Sequence, residues 1–173
     1  MRLRCLIPAL LLIAAPAMAA TPDADSAKSF VQAFYDWYVP SALAPKGGFS
    51  YEIVLKQKPD YFTAALSAAL KKDLQASEKN PDEIVGLDFD PILASQDPCD
   101  HYVVGAVAQV GKNYDVSVLC KGEQESYVSA EVMPQGSSWA IINFIYPPHD
   151  GLKKDDLLSL LKRLEKDRQK FKK

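Results

Sequence analysis

Two histidines and three cysteines in 173 residues leave little material for the commonest kinds of site. No His-x-x-x-His pair occurs, and neither His101 nor His149 has a serine or cysteine elbow beside it. The sequence therefore lacks the signature of a zinc centre and that of a hydrolytic triad, and both histidines read as surface or structural residues. Gly47-Gly48 is not followed by Lys-Ser/Thr, so it is no phosphate loop. No internal repeat or low-complexity segment is present. Hydrophobic runs are short everywhere except at the start, and basic charge is scarce except at the end.

The start reads as a secretory signal. Met1-Arg2-Leu3-Arg4 is basic, Leu6 to Ala15 is apolar apart from Pro8, and Ala17-Met18-Ala19 has the small-x-small form of a cleavage site. The apolar run is too short for a permanent bilayer anchor. Residues 1–19 are thus expected to be removed and residues 20–173 to form one domain in the periplasm, with no lipid anchor because Cys5 lies in the basic start. That removal leaves 18 basic and 22 acidic residues, net −4. Lys162 to Lys173 alone carries seven basic side chains against Glu165 and Asp167, so the body before it stands near −9. An acidic body excludes nucleic acid as the main ligand. The basic end reads as a solvated helix terminus, with weak contact to an anionic membrane surface as its other use.

Hydrophobic spacing sets the element order. Asp25 or Ser26 can cap a helix to about Val39 that carries Phe30, Phe34, Trp37 and Tyr38 on one stripe, with Pro40 as its stop. Phe49 to Lys56 fits either a strand or a helix. Pro59 and the series Phe62, Leu66, Leu70 and Leu74 predict a second helix to about Ala76. The period then changes to two: Tyr102–Val110, Tyr114–Cys120, Tyr127–Met133 and Trp139–Tyr146 predict four antiparallel strands, with turns at 111–113 and 134–137. Trp139 belongs to the most apolar of these runs and is a core candidate. From about Lys153 a third helix carries Leu157, Leu160, Leu161 and Leu164. Helices first and a meander after them imply an α+β fold with helices on one sheet face.

Cys99 and Cys120 are the only cysteines after the signal, and an oxidising compartment lets them pair. A bridge there is worth about 3.4 kcal/mol in the chain-entropy model; two buried thiols are the alternative. A short turn at 111–113 puts Cys120 opposite Val103 or Val104, so Cys99 has to fold back, and Pro98 supplies the bend.

Three local patterns carry a resemblance: Phe34-Tyr35-Asp36-Trp37-Tyr38, then Gly86-Leu87-Asp88-Phe89-Asp90-Pro91 with Gln96-Asp97-Pro98-Cys99, then Trp139 to Asn143-Phe144-Ile145-Tyr146-Pro147. In this order they resemble the bacterial family called domain of unknown function 3828, grouped with the NTF2-like (cystatin-like) α+β cone folds, over about residues 30–164. The resemblance implies a cone of N-terminal helices on a curved antiparallel sheet of about four strands, plus a C-terminal helix. Ile92 stands where the pattern leads us to expect an aromatic.

Aromatic area with polar tips makes Tyr35, Trp37 and Tyr38 candidates for lining the cone, or for anchoring the first helix on the sheet. Asp88, Asp90, Gln96 and Asp97 form an oxygen-rich loop that lacks the dense alternation of a calcium loop, so no metal or other cofactor is assigned. The ligand- or partner-binding candidates are Tyr35, Tyr38, Asp90, Gln96 and Asp97. Asp115 and Glu131, the only mid-strand carboxylates, are expected to face water, and no catalytic residue is assigned. The leading expectation is a non-catalytic periplasmic binding or interaction module for a small molecule, a peptide or a periplasmic protein. One alternative is an immunity or inhibitor protein against an exported toxin or wall-active enzyme, where an acidic body suits a basic partner. The other is an NTF2-like isomerase or dehydratase, which needs an inward carboxylate of perturbed pKa with a tyrosine in reach.

Overall fold

The computed structural model describes residues 23–44, 48–148 and 151–170. The expected signal segment, Gly47 and His149 lie outside them. Helix α1 spans Ala24–Leu43. Its cap is Asp23, ahead of the expected Asp25 or Ser26: Asp23 Oδ1 accepts from the Ser26 amide at 2.8 Å and Ser26 Oγ accepts from the Asp23 amide at 3.0 Å. Two otherwise orphaned helix-start donors are satisfied reciprocally. Pro40 does not stop the helix. It is exposed in the last turn, where it costs one backbone bond, and the chain stays helical to Leu43. The buried stripe is Ala27, Val31, Phe34, Tyr35, Tyr38 and Val39, with Phe30 and Trp37 half-buried at its margin.

The segment of open type resolves into a short helix α2, Glu52–Gln57. Pro59 then begins a 3-10 turn, Pro59–Tyr61, rather than the next helix. Helix α3 starts later than its hydrophobic series suggests, at Ala64, and ends at Glu78. Phe62 is held extended in a parallel bridge with Ile141, and the Thr63 amide donates to the Ile141 carbonyl at 3.0 Å. The sheet thereby fixes the helix start, and Thr63 caps it.

Strands β1 (Tyr102–Val110), β2 (Asn113–Cys120), β3 (Val128–Gln135), β4 (Ser138–Tyr146) and β5 (Asp155–Asp156) form one antiparallel sheet in that order. The sheet has five strands rather than four, because Asp155 and Asp156 pair with Tyr146 and Ile145. Both long turns contain two residues, opened by Gly111 at φ 64° and Gly136 at φ 62°, conformations that suit glycine. Pro134 therefore stays inside β3. It is tolerated there because β2 ends its pairing at Val132, leaving that side of β3 free. Bulges lie at Val104/Val107 and at Glu131/Val132. The first of these shifts the hairpin register, so Cys120 faces Tyr102 rather than Val103 or Val104.

Helix α1 packs on β1 and β2, while α3 and helix α4 (Leu157–Lys170) pack near β4. Trp139, Ile141, Phe144 and Tyr146 enter this core from β4. Trp139 is 5% exposed, and its indole N–H reaches Ser26 Oγ at 3.2 Å. Each large apolar side chain buried here contributes about 1.5–3 kcal/mol. Asn143, the polar residue of β4, ties the sheet to α4: its Oδ1 accepts from the Leu158 amide at 3.1 Å and its Nδ2 donates to Asp156 Oδ1 at 2.9 Å. Cys99 and Cys120 form a disulfide with Cα atoms 6.0 Å apart. No described helix is long and apolar enough to cross a membrane.

Candidate functional site

The loop between α3 and β1 turns Asp90 inward. Its Oδ2 accepts from the Tyr38 hydroxyl at 2.7 Å and from Ser50 Oγ at 2.6 Å, and its Oδ1 accepts from the amides of Ile92 at 2.9 Å and Leu93 at 3.1 Å. Two further tyrosines hold the same stretch by its carbonyls: Tyr35 donates to Ile92 O at 2.7 Å and Tyr146 to Pro91 O at 2.9 Å. Helix α1 and strand β4 thus deliver three hydroxyls to three consecutive loop residues, Asp90, Pro91 and Ile92. Asp90 also exchanges backbone bonds with Ser95, at 3.1 and 3.4 Å, which closes the turn; within it Ala94 adopts a left-handed φ of 52°.

Burial is the main influence on the titration of this cluster. It pushes the Tyr35, Tyr38 and Tyr146 hydroxyls well above the usual tyrosine value, with the nearby Asp90 charge acting in the same direction. Asp90 itself is raised by burial, against the opposing hydrogen bonds from Ser50, Tyr38, Leu93 and Ile92. A buried carboxylate beside a tyrosine is the pair an acid–base mechanism needs. Here, however, both oxygens are saturated by four protein donors, which leaves no lone pair directed at a substrate.

The five sequence candidates therefore divide. Tyr35 and Tyr38 are 1% and 0% exposed and Asp90 points in with them, whereas Gln96 and Asp97 are on the solvent side of the same loop. Gln96 Nε2 donates to Asp88 O at 3.1 Å, and the Asp97 amide donates to Ser95 Oγ at 2.9 Å. The loop thus uses the Gln96 side-chain amide to hold its own shape, while Asp97 contributes its backbone amide and is itself exposed. Asp88, Asp36 and His101 are exposed. Asp115 and Glu131 are half-buried rather than open to water, and burial raises the Asp115 carboxyl. Among the described residues no three His, Cys, Asp or Glu side chains come together as a metal site.

No family model, curated protein or solved structure matches this chain.

A second arrangement was not visible in the sequence. Arg168, in the basic end expected to be solvated, turns in: its Nη1 donates to Asp73 Oδ1 at 2.6 Å and to Val85 O at 2.8 Å. Asp73 is 1% exposed, and its Oδ2 accepts from the Leu87 amide at 3.0 Å. Gly86 is required at this point, since a Cβ would fall 2.4 Å from Ser77 Oγ and 2.7 Å from Asp73 Oδ2. Above this ion pair, the far ends of α3 and α4 leave a groove of about 680 Å³, with Lys72, Ala76, Ile84, Val85, Leu164 and Gln169 among its walls. Ile84 is 83% exposed on its lip. The helical period of α4 shows Leu164 as apolar, but nothing local says that Arg168 meets a carboxylate 95 residues away.

Proposed function

We propose that this protein is an exported, non-catalytic binding module of the NTF2-like kind, akin to domain of unknown function 3828, which engages a periplasmic partner on its outer surface. The carrying observation is the saturation of Asp90. Asp90, a half-buried carboxylate bonded by a tyrosine hydroxyl, is consumed in pinning a loop, and the inward aromatic side chains fill the interior. This weighs against an isomerase or dehydratase built on that pair. The groove between α3 and α4 is the better contact surface, because it combines an exposed isoleucine and a leucine floor with charged walls over a fixed ion pair.

The test is affinity capture of the processed protein from periplasmic extract, with mass spectrometry of what is retained, comparing wild type with Ile84→Asp and Gln96→Ala. Both positions are exposed, so melting temperature should change little, Gln96→Ala losing only its solvent-side bond to Asp88 O. Loss of the partner with Ile84→Asp alone supports the groove. Loss with Gln96→Ala alone would move the contact to the loop before β1. Substrate turnover by wild type that Asp90→Asn abolishes at unchanged stability would overturn the non-catalytic reading.

A further inference from the structure

Away from the Asp90 cluster and the groove, one surface feature consists of aromatic rings turned toward a cation. Trp37 of α1 and Tyr61 of the 3-10 turn are both half-buried, their ring planes are 8° from parallel, and their centroids are 6.1 Å apart. The Lys58 ammonium lies over both, 5.1 Å from the Trp37 centroid and 5.6 Å from that of Tyr61. Phe30 and Phe34 back Tyr61 at 5.2 and 5.1 Å, so the pair rests on the core rather than on a loose loop.

The face of an aromatic ring carries the negative part of its quadrupole, and a cation within reach of two rings is attracted more than by either alone. Each ring also follows an acidic residue in sequence. Asp36 precedes Trp37 and Asp60 precedes Tyr61, and both are exposed. Lys56, the other base nearby in sequence, is paired with Glu52 at 2.5 Å. Lys58 is exposed and forms no ion pair among the described residues. We infer that the Trp37–Tyr61 platform is a binding site for a small alkylammonium ligand, whose cationic head takes the place that the Lys58 ammonium holds in the free protein. A long, solvated lysine leaves that position at little cost and regains rotamer freedom when it does. The site is separate from the proposed partner groove and stands or falls independently of it.

The chain has two tryptophans, and their indole N–H resonances in a nitrogen-15 correlation spectrum supply both the reporter and its control. Trp37 is the reporter; Trp139, buried and bonded to Ser26, is the control. Choline is the probe, and 3,3-dimethylbutan-1-ol, of the same shape without the charge, is its neutral counterpart. Choline should shift Trp37 saturably with a millimolar Kd and leave Trp139 in place, while the alcohol should shift neither. Lys58→Ala should tighten the Kd by removing the resident ammonium, and Asp60→Asn should weaken it; both side chains are exposed, so the fold is not at risk. Co-sedimentation with phosphatidylcholine vesicles that free choline competes away would identify a lipid headgroup as the source, and its absence would identify a free solute. No saturable Trp37 shift, equal shifts from choline and the alcohol, or weaker binding by Lys58→Ala would each overturn the assignment.

Discussion

The Tyr38 hydroxyl lies 2.7 Å from Asp90 Oδ2, and Ser50 Oγ reaches that same oxygen at 2.6 Å, so a helix, a turn and a distant loop are joined at one carboxylate atom. The other carboxylate oxygen caps the loop's own amides. The relationship explains why a conspicuous pair of sequence motifs can be a fold determinant: the first motif supplies the donor and the second supplies the acceptor.

Replacing Asp90 should therefore harm stability before anything else. Asp90→Ala leaves two hydroxyls and two amides without their acceptor and should cost about 3–5 kcal/mol, while Tyr38→Phe removes a single donor and should cost about 1–2 kcal/mol. Urea unfolding of both variants measures this. An Asp90→Ala protein as stable as wild type would refute the pinning role.

Ionisation of the buried tyrosines should be suppressed in the native state. Burial raises the Tyr35, Tyr38, Tyr51 and Tyr146 hydroxyls, and Tyr51 has no hydrogen-bond partner among the described residues. Because each folded value lies above the unfolded value near 10, the stability these groups contribute is fully present below about pH 10 and is lost as pH rises toward the folded values. Absorbance at the tyrosinate band should show at least these four of the eight tyrosines titrating late in native protein and normally in denaturant. Normal titration of all eight in the native state would contradict the buried network.

The disulfide should stabilise the fold mainly through the unfolded chain. Cys99 and Cys120 are 21 positions apart, so their bridge should be worth about 3 kcal/mol, seen as a lower melting temperature after reduction or in Cys99→Ser/Cys120→Ser. Two alkylatable thiols in denatured, unreduced protein would exclude the bridge.

The Asp73–Arg168 pair should be worth far more than its neighbours on α4. Removing the guanidinium in Arg168→Met leaves a carboxylate that is 1% exposed with only the Leu87 amide, and should cost about 3–5 kcal/mol. Lys170→Met, which breaks the exposed pair with Asp167, should leave the melting temperature close to that of wild type. Equal effects in thermal unfolding would place Arg168 in solvent.

The local periods of the sequence determined a good deal: the presence of α1 and α4, though neither the end of α1 nor the start of α4, the four long strands within a residue or two, Trp139 in the core, and the cysteine pair as a candidate bridge. These follow from which residues alternate, which recur every three or four positions, and where proline and glycine punctuate the chain. Tertiary structure decided the rest. Whether Phe49 to Lys56 is helix, where α3 begins, and whether Asp155-Asp156 forms a strand depended on contacts with β4 and α1 that no window of ten residues contains. The same holds for the site. Asp90, Gln96 and Asp97 look alike in sequence, yet the first is enclosed by Tyr38 and Ser50 and the others face solvent, because burial of a polar group depends on donors brought from 40 or more residues away.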